Sequence, residues 1–517
     1  MPLHFFSFAT IETSFLLSPN PESASLSLGA TLTRMHSAHL EPLRALLGED
    51  GVLDSRAARF TYEADALVLE KHLPDAIVLP RSTDEVSAVV RWAGAHGLPI
   101  VARGAGTGLA GGATAEHGGL VVSVNRMDRV LSVDPERMVA WVQPGVVNLE
   151  LSRRLAEHGL YYAPDPASQQ VSTVGGNVAT NAGGPHCLKY GVTLNHVLGV
   201  VAVLHDGSAV TLGGEAPDAP DFDLATLVIG SEGTLAIVTE ICVRLLPRPQ
   251  AVKTILFDFE RVEQACRAVS ATIAAGIIPA AMEIMDQHTV QVVEAWLGLG
   301  LPLDAGAVLL IEVDGPAAGL ERQAERVVSL ANAAGARSVR VARDEAERAA
   351  IWKGRKSAFG AYGRAASGFY IMDGVVPRTR LAEALAGIRR LCDERGLKSG
   401  NVFHAGDGNL HPHVLFDADD PRQQAAALEA SHEILRMCIR MGGTISGEHG
   451  VGIEKRPMMR ELFAPDDLAV MERARSAFDP ERRLNPGKIL PGLEDGVGGP
   501  AQLGGMRGDG AGEGPWI

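Results

Sequence analysis

Along residues 74–103 apolar side chains first recur every three or four positions and then run together. In PRSTDEVSAVVRWAGAHGLPIVARG, Val86, Val89, Val90 and Ala93 line one helical face, with Ser82 as N-cap, Glu85 as its capping-box partner and Gly97 as the stop. PIVA then begins a strand. The alternation predicts further strands near 120–124 and 138–145, a helix near 147–158, and strands near 198–204 and 226–230.

LPRPQ, ending at residue 250, carries two prolines that discourage any element from crossing it, so a boundary is expected near 248. Beyond it, strands near 252–259, 308–313, 337–342, 369–375 and 411–416 interleave with amphipathic helices near 261–275, 319–334, 379–395 and 422–441. That order suits an antiparallel sheet with helices on one face, and the chain as a whole reads as α+β. The resulting division is 39–248, then 249–470, then a closing segment 471–492 containing FDPERRLNPGKIL. Residues 1–38 and 493–517 lack such periodicity and are expected to be disordered tails, with Met35 a candidate true start.

With 517 residues the chain needs more than one core. A net charge of -15 gives no electrostatic case for nucleic acid and leaves only a local basic patch for docking on anionic lipid. Cys187, Cys242, Cys266, Cys392 and Cys438 form no close pair, which excludes a disulfide framework or an iron-sulfur cluster written into this chain and suits a reducing cytoplasm. No apolar run reaches the ~20 residues of a membrane-spanning helix.

The chemistry begins with glycine. VARGAGTGLAGGA (101–113) has Leu109 where the third glycine of a Rossmann fingerprint belongs and runs on into a strand, so it is neither that motif nor a P-loop. It is a run of backbone N–H groups able to hold an anionic pyrophosphate. Two more small-residue loops, YYAPDPASQQVSTVGGNVATNAGG (161–184) and IGSEGTLAIVT (229–239), point to a long, flat ligand lying against backbone.

At these residues the sequence resembles the FAD-linked oxidases of the vanillyl-alcohol-oxidase type, and within them the catalytic flavin subunits of bacterial glycolate oxidases, beside the D-lactate and D-2-hydroxyglutarate dehydrogenases. The resemblance covers roughly residues 40–492. It implies a two-subdomain FAD-binding domain of the PCMH type and a ferredoxin-like cap domain. By position, Arg103, Gly104, Ala105, Gly106, Thr107 and Gly108 would meet the pyrophosphate of FAD. Pro164, Asp165, Ser168, Thr173, Val174, Gly175, Gly176, Asn177, Thr180, Ala182 and Gly183 would line the flavin. Glu232, Gly233, Ile237 and the late Asn485 would complete the cofactor site. Relatives that tether FAD often use a histidine in the first loop, whereas Thr107 follows RGAG here, so noncovalent FAD is expected.

The second chemical centre is NVFHAGDGNLHPHVLF (401–416). Gly406 and Gly408 permit a turn that brings His404 back towards His411, and the distant GGTISGEHGVGIEK (442–455) adds Glu448 and His449 among glycines. Two imidazoles and a carboxylate suit Zn²⁺, Mn²⁺ or Fe²⁺ with open positions. The resemblance implies His404, His411 and Glu448 as ligands, His449 as the base and Arg355, on the basic helix IWKGRKSAFGAYGR, as the clamp for a substrate carboxylate. His413, where the 2-hydroxyglutarate relatives have Asn, is expected to touch substrate or join the metal. Ile371 stands where those relatives carry a lysine, which favours a small monocarboxylate such as glycolate or D-lactate.

The reading is therefore a flavin- and metal-dependent 2-hydroxy acid dehydrogenase. Its electrons would pass to partner subunits of flavin-like and iron-sulfur type, to a quinone or to a cytochrome, in the cytoplasm or at the inner membrane face. Two alternatives are a metal-independent alcohol oxidase of the same fold and a noncatalytic flavin-binding subunit.

Overall fold

A computed structural model describes residues 37–216 and 222–492. The expectations for the chain up to residue 36, Met35 included, and for 493–517 lie outside the described residues. The 74–103 pattern gives the helix Thr83–Ala95, with Ser82 Oγ accepting from Glu85 N at 3.2 Å and Val86, Val89, Val90 and Ala93 buried. The Glu85 carboxylate reaches back to Arg81 N at 2.6 Å instead of the Ser82 amide of a strict capping box. This helix accompanies a four-stranded sheet in the order Val52–Leu53, Ala76–Val78, Leu120–Ser123, Ile100–Arg103, whose last three strands are parallel.

A five-stranded antiparallel sheet follows, ordered Val130–Asp134, Val139–Val142, Ile237–Arg244, Val197–Val203, Ala209–Gly213. One expectation fails here. The strand near 226–230 is the helix Leu224–Val228, because the Asp223 carboxylate accepts from both Thr226 N (3.2 Å) and Thr226 Oγ1 (2.6 Å) and starts a helical turn. The strand in this region starts later, at Ile237.

Nine strands among the described residues form the large antiparallel sheet of the second half. Its spine runs Ala336–Val341, Ala251–Phe259, Ala307–Gly315, Ala281–Asp286, Lys398–His404. The strands Ala281–Asp286 and Lys398–His404 and the helix Gln287–Leu297 were not foreseen. The strand expected at 369–375 splits into Gly368–Ile371 and Gly374–Val375 around Met372 and Asp373, and the one expected at 411–416 starts at Pro412. Helices cover both faces of this sheet, not one. Ile255, Phe257, Met282, Ile284, Leu309 and Ile311 pack under the helices Val262–Ala274, Leu320–Ala334, Leu381–Asp393 and Pro421–Arg440. Leu256, Ala281, Met285, Val308, Leu310 and Val402, of opposite parity, pack under Gln287–Leu297, Glu345–Lys356 and Ala358–Ala365. Continued along the strands, that second parity delivers Glu312, Glu283 and His404.

Glu312 ties the sheet to the first half of the chain. His186 donates from Nδ1 to Asp165 (2.8 Å) and approaches Glu312 Oε1 with Nε2 (3.4 Å), while Glu312 also accepts from Arg348 twice at 2.9 Å and from the Trp352 indole at 2.8 Å. Next to it Asp314 receives Lys189 and, at 2.6 Å, the Tyr190 hydroxyl. Burial opposes a charged His186, but Asp165 and Glu312 outweigh it and push the imidazole up to about 10. No helix of the described residues is long and apolar enough to cross a membrane.

Because the folded value of His186 lies above the ~6.5 of an unfolded histidine, its contribution is full below pH 6.5 and fades as pH rises towards 10. His186→Gln should therefore lower stability by about 1.5–3 kcal/mol at pH 6.5, and the gap from the parent protein in denaturant titrations should shrink progressively by pH 10.

Candidate active site

Glu283 and His404 are cross-strand partners, so their side chains meet on one face. Glu283 Oε1 lies 2.8 Å from His404 Nδ1; a carboxylate only accepts, so Nδ1 carries the hydrogen and Nε2 points onward to Glu448 Oε1 at 3.3 Å. His411 repeats the arrangement. Its Nδ1 donates to the Met372 carbonyl at 3.2 Å, and its Nε2 stands 3.1 Å from the same Glu448 oxygen. That approach is close but lies off the direction of a hydrogen bond, and both His411 Nε2 and Glu448 Oε2 are buried with no hydrogen-bond partner. Imidazoles tied back through one nitrogen, with the other converging on a carboxylate within 4.8 Å, fit a divalent cation.

Asp373, His411 and His449 also lie within 4.8 Å of one another. The two triads differ in what their carboxylates are already doing. Asp373, fully buried, accepts from Ser446 Oγ (2.7 Å), from the amides of Gly447 (3.1 Å), Glu448 (3.2 Å) and His449 (2.8 Å), and from Lys455 Nζ (3.1 Å). A carboxylate so saturated builds the 446–449 turn; Glu448, with an oxygen to spare, is the better ligand.

Charge follows the same geometry. Burial alone would raise the Glu448 carboxyl, yet His404 and His411 hold it well below the usual range. Burial would likewise discharge His404, but Glu283 and Glu448 keep a proton there, one that a cation at Nε2 would replace. His449 stacks on His411 at 5.0 Å and 14°, with Nε2 3.9 Å from Glu448 Oε1. Burial, with His411 and Lys455, pushes it down to about 4 against the pull of Asp373, so it is a neutral acceptor at pH 7.

Arg355 points inward from the helix Glu345–Lys356, whereas Lys353 and Lys356 face solvent. Its Nε donates to Glu283 Oε2 at 2.6 Å. His413 lies in neither triad. Its Nδ1 donates to the His411 carbonyl at 3.0 Å, its ring stacks on Tyr362 at 4.3 Å with Phe369 at 5.6 Å, and its Nε2 is buried without a partner. Burial and His411 push His413 down to about 3.

The glycine loops meet one another and then the turn. A Cβ on Gly104 would stand 2.4 Å from Thr173 Oγ1, the N-cap of Val174–Thr180, and Gly106 has φ +71° beneath the Arg103 guanidinium. A Cβ on Gly183 would come within 3.0 Å of Glu448 Oε2, which puts the second loop against the carboxylate of the triad. Ala105, Thr107 and Gly108 are half-buried beside Gly104, and Pro164 accepts from Asn148 Nδ2 at 2.9 Å. Ser168 turns the chain through its carbonyl, Gly175 packs on Pro144, and Thr180 Oγ1 donates to Gly176 O at 3.3 Å. Val174 and Ala182 are buried, Gly233 takes φ +73°, and Ile237 opens its strand.

Two expected cofactor residues spend their side chains on the scaffold. The Asp165 carboxylate belongs to His186, and Glu232 accepts from Val451 N (2.6 Å) and Gly452 N (2.8 Å), burial pushing it up to about 6. Asn485 Nδ2 donates to Gly112 O (2.8 Å) and Glu232 O (2.6 Å), leaving its Oδ1, like Asn177 Nδ2, buried and unpartnered. Sequence reasoning missed Glu283 and Lys455. A lone Glu inside the otherwise apolar AAMEIM was the available signal for the first. Lys455 carried none, since a lysine after a glycine-rich turn normally faces water.

Comparison with known proteins fits this geometry. Residues 74–213 match the FAD binding domain family and 248–489 the C-terminal domain of FAD linked oxidases. The chain is 46% identical to glycolate oxidase subunit GlcD of Escherichia coli K12 over 84% of its own length and 87% of that protein. The chain belongs to the FAD-linked oxidase family. It is also 34% identical to a D-lactate dehydrogenase of Anaerostipes hadrus, over 87% of the chain and 95% of that protein. In fold, this FAD-linked oxidase resembles p-cresol methylhydroxylase, with TM-score 0.74 at 18% identity over 88% of the chain and 96% of the other. The PCMH-type two-domain architecture follows, and FAD is its cofactor. The backbone cradle at Gly104 and the orphaned Asn177 Nδ2 and Asn485 Oδ1 fit such a ligand.

Lys455→Met would strand Asp373 as a buried charge without its counter-ion, at a cost of about 3–5 kcal/mol. Denaturant titration should show a loss of that order, with the Asp373→Asn, Lys455→Met double variant recovering part of it.

Proposed function

We propose that the chain oxidises a small 2-hydroxy acid, glycolate or D-lactate, to the 2-oxo acid. His404, His411 and Glu448 hold a divalent cation, Zn²⁺, Mn²⁺ or Fe²⁺, and the glycine loops hold noncovalent FAD. FAD supplies the hydride acceptor and the cation supplies Lewis acidity towards the α-hydroxyl. His449 Nε2, beside Glu448, takes the hydroxyl proton. Arg355 binds the substrate carboxylate through its Nη pair, which makes no hydrogen bond to other described residues. His413 Nε2 faces the substrate as a neutral acceptor, and Ile371, its cross-strand partner, gives the distal wall no cation for a second carboxylate.

One observation carries the reading: the Nδ1 atoms of His404 and His411 are tied back while their Nε2 atoms converge on one Glu448 oxygen. The 46% identity to a glycolate oxidase subunit and the 34% identity to a D-lactate dehydrogenase support the substrate class. On the same grounds the FAD-binding domain spans 39–248, the cap 249–470, and 471–492 returns to the flavin. The relative's name, a subunit, supports partner subunits as such; we further propose that these are of flavin-like and iron-sulfur type and take the electrons, in the cytoplasm or at the inner membrane face.

Anaerobic titration with D- and L-2-hydroxy acids, read at the flavin absorbance, tests this directly. Glycolate or D-lactate should bleach the flavin in a single turnover, chelation should abolish the bleaching and re-added Mn²⁺ or Zn²⁺ should restore it. His449→Asn should slow it by about 10²–10⁴-fold. Full activity in metal-free protein would leave an alcohol oxidase of the same fold, and no bleaching by any hydroxy acid would leave a flavin-binding subunit.

A further inference from the structure

Glu283 is 1% exposed and stands between buried apolar neighbours, Met282 and Ile284, in the strand Ala281–Asp286, whose other acid, Asp286, is at its end. Its two oxygens have different partners. Oε1 takes His404 Nδ1 at 2.8 Å and Oε2 takes Arg355 Nε at 2.6 Å. One rigid carboxylate thus sets the direction of a histidine and of an arginine carried on separate elements, a strand and a helix. A buried pair of this kind adds little net stability over apolar packing, whereas its geometric effect is specific. Held through Nδ1, His404 has only Nε2 to offer a cation; held through Nε, Arg355 has its terminal Nη fork to offer a carboxylate.

We propose that Glu283 is a shared positioning residue that joins the cation site and the substrate-carboxylate site into one unit, so that losing it weakens both. The inference rests on the reading that His404 ligates a cation and Arg355 binds substrate. A 2-hydroxy acid that uses the cation and the arginine together needs a set spacing between them, and Glu283 defines it through two hydrogen bonds.

The test is Glu283→Gln in the flavin-loaded full-length protein. An amide is neutral and turns an NH2 towards one of the two donors, so the shared charged acceptor that sets the spacing of His404 and Arg355 is lost to both. Mn²⁺ titration of the chelator-stripped protein should show affinity lower by about 10–100-fold. KM for glycolate or D-lactate at saturating Mn²⁺ should rise about tenfold or more, while the flavin spectrum and thermal midpoint confirm an intact fold. Glu283→Asp, charged but one methylene shorter, guards against misfolding of the neutral variant and should shift both quantities the same way. Parent-like Mn²⁺ affinity, or a parent-like KM at saturating Mn²⁺, in a folded variant overturns the proposal. A parent protein that binds no Mn²⁺ removes the cation reading, and the coupling with it, which the variants alone could not do.

Discussion

The site depends on where one buried negative charge is neutralised. Asp373 sits in the gap between two short strands and gathers the hydroxyl of Ser446, three consecutive backbone amides and the Lys455 ammonium. Those amides belong to the turn that carries Glu448 and His449, so the turn's conformation is specified by a carboxylate on another element. Burial opposes the charge on Asp373, yet His449, Lys455 and His411 hold its carboxyl far below the usual range. A low-dielectric interior makes such an anchor strong only while all its donors are present.

Around that anchor, contacts cross from one half of the chain to the other. Glu232 holds the 451–452 amides, Gly183 leaves room for Glu448, and His186 with Lys189 and Tyr190 grips Glu312 and Asp314. The glycine loops and the histidine cluster therefore belong to one site, although more than two hundred positions separate Gly183 from Glu448 along the chain.

Much of this was legible in the residues. Helical spacing and capping gave Thr83–Ala95, and the clustering of His404, His411, Glu448 and His449 among glycines marked residues that do converge. Legibility failed where tertiary contacts decide. A sheet covered on both faces erases the alternation that would have revealed Ala281–Asp286 and the side on which Glu283 points. At 226–230 a β-branched run became a helix because the Asp223 carboxylate caught Thr226. The partners of the Asp165 and Glu232 carboxylates, His186 and the 451–452 amides, were not legible either, because sequence position cannot say towards which side a loop carboxylate turns.

The two-sided sheet also has an evolutionary reading. Glu283, Glu312 and His404 share a face with Leu310, Met285 and Val402, so these buried polar groups are rooted in a second hydrophobic core. Drift at these strand positions would be filtered first by whether the protein still folds, before any change in chemistry could be selected. The aromatic wall around His413, built from Tyr362, Phe369 and the solvent-accessible Phe359, carries no such double duty on its outer side. On the proposed function, a change at the exposed Phe359 would alter the surroundings of His413 at little cost to folding, whereas a change at Glu283, Glu312 or His404 would disturb the core as well.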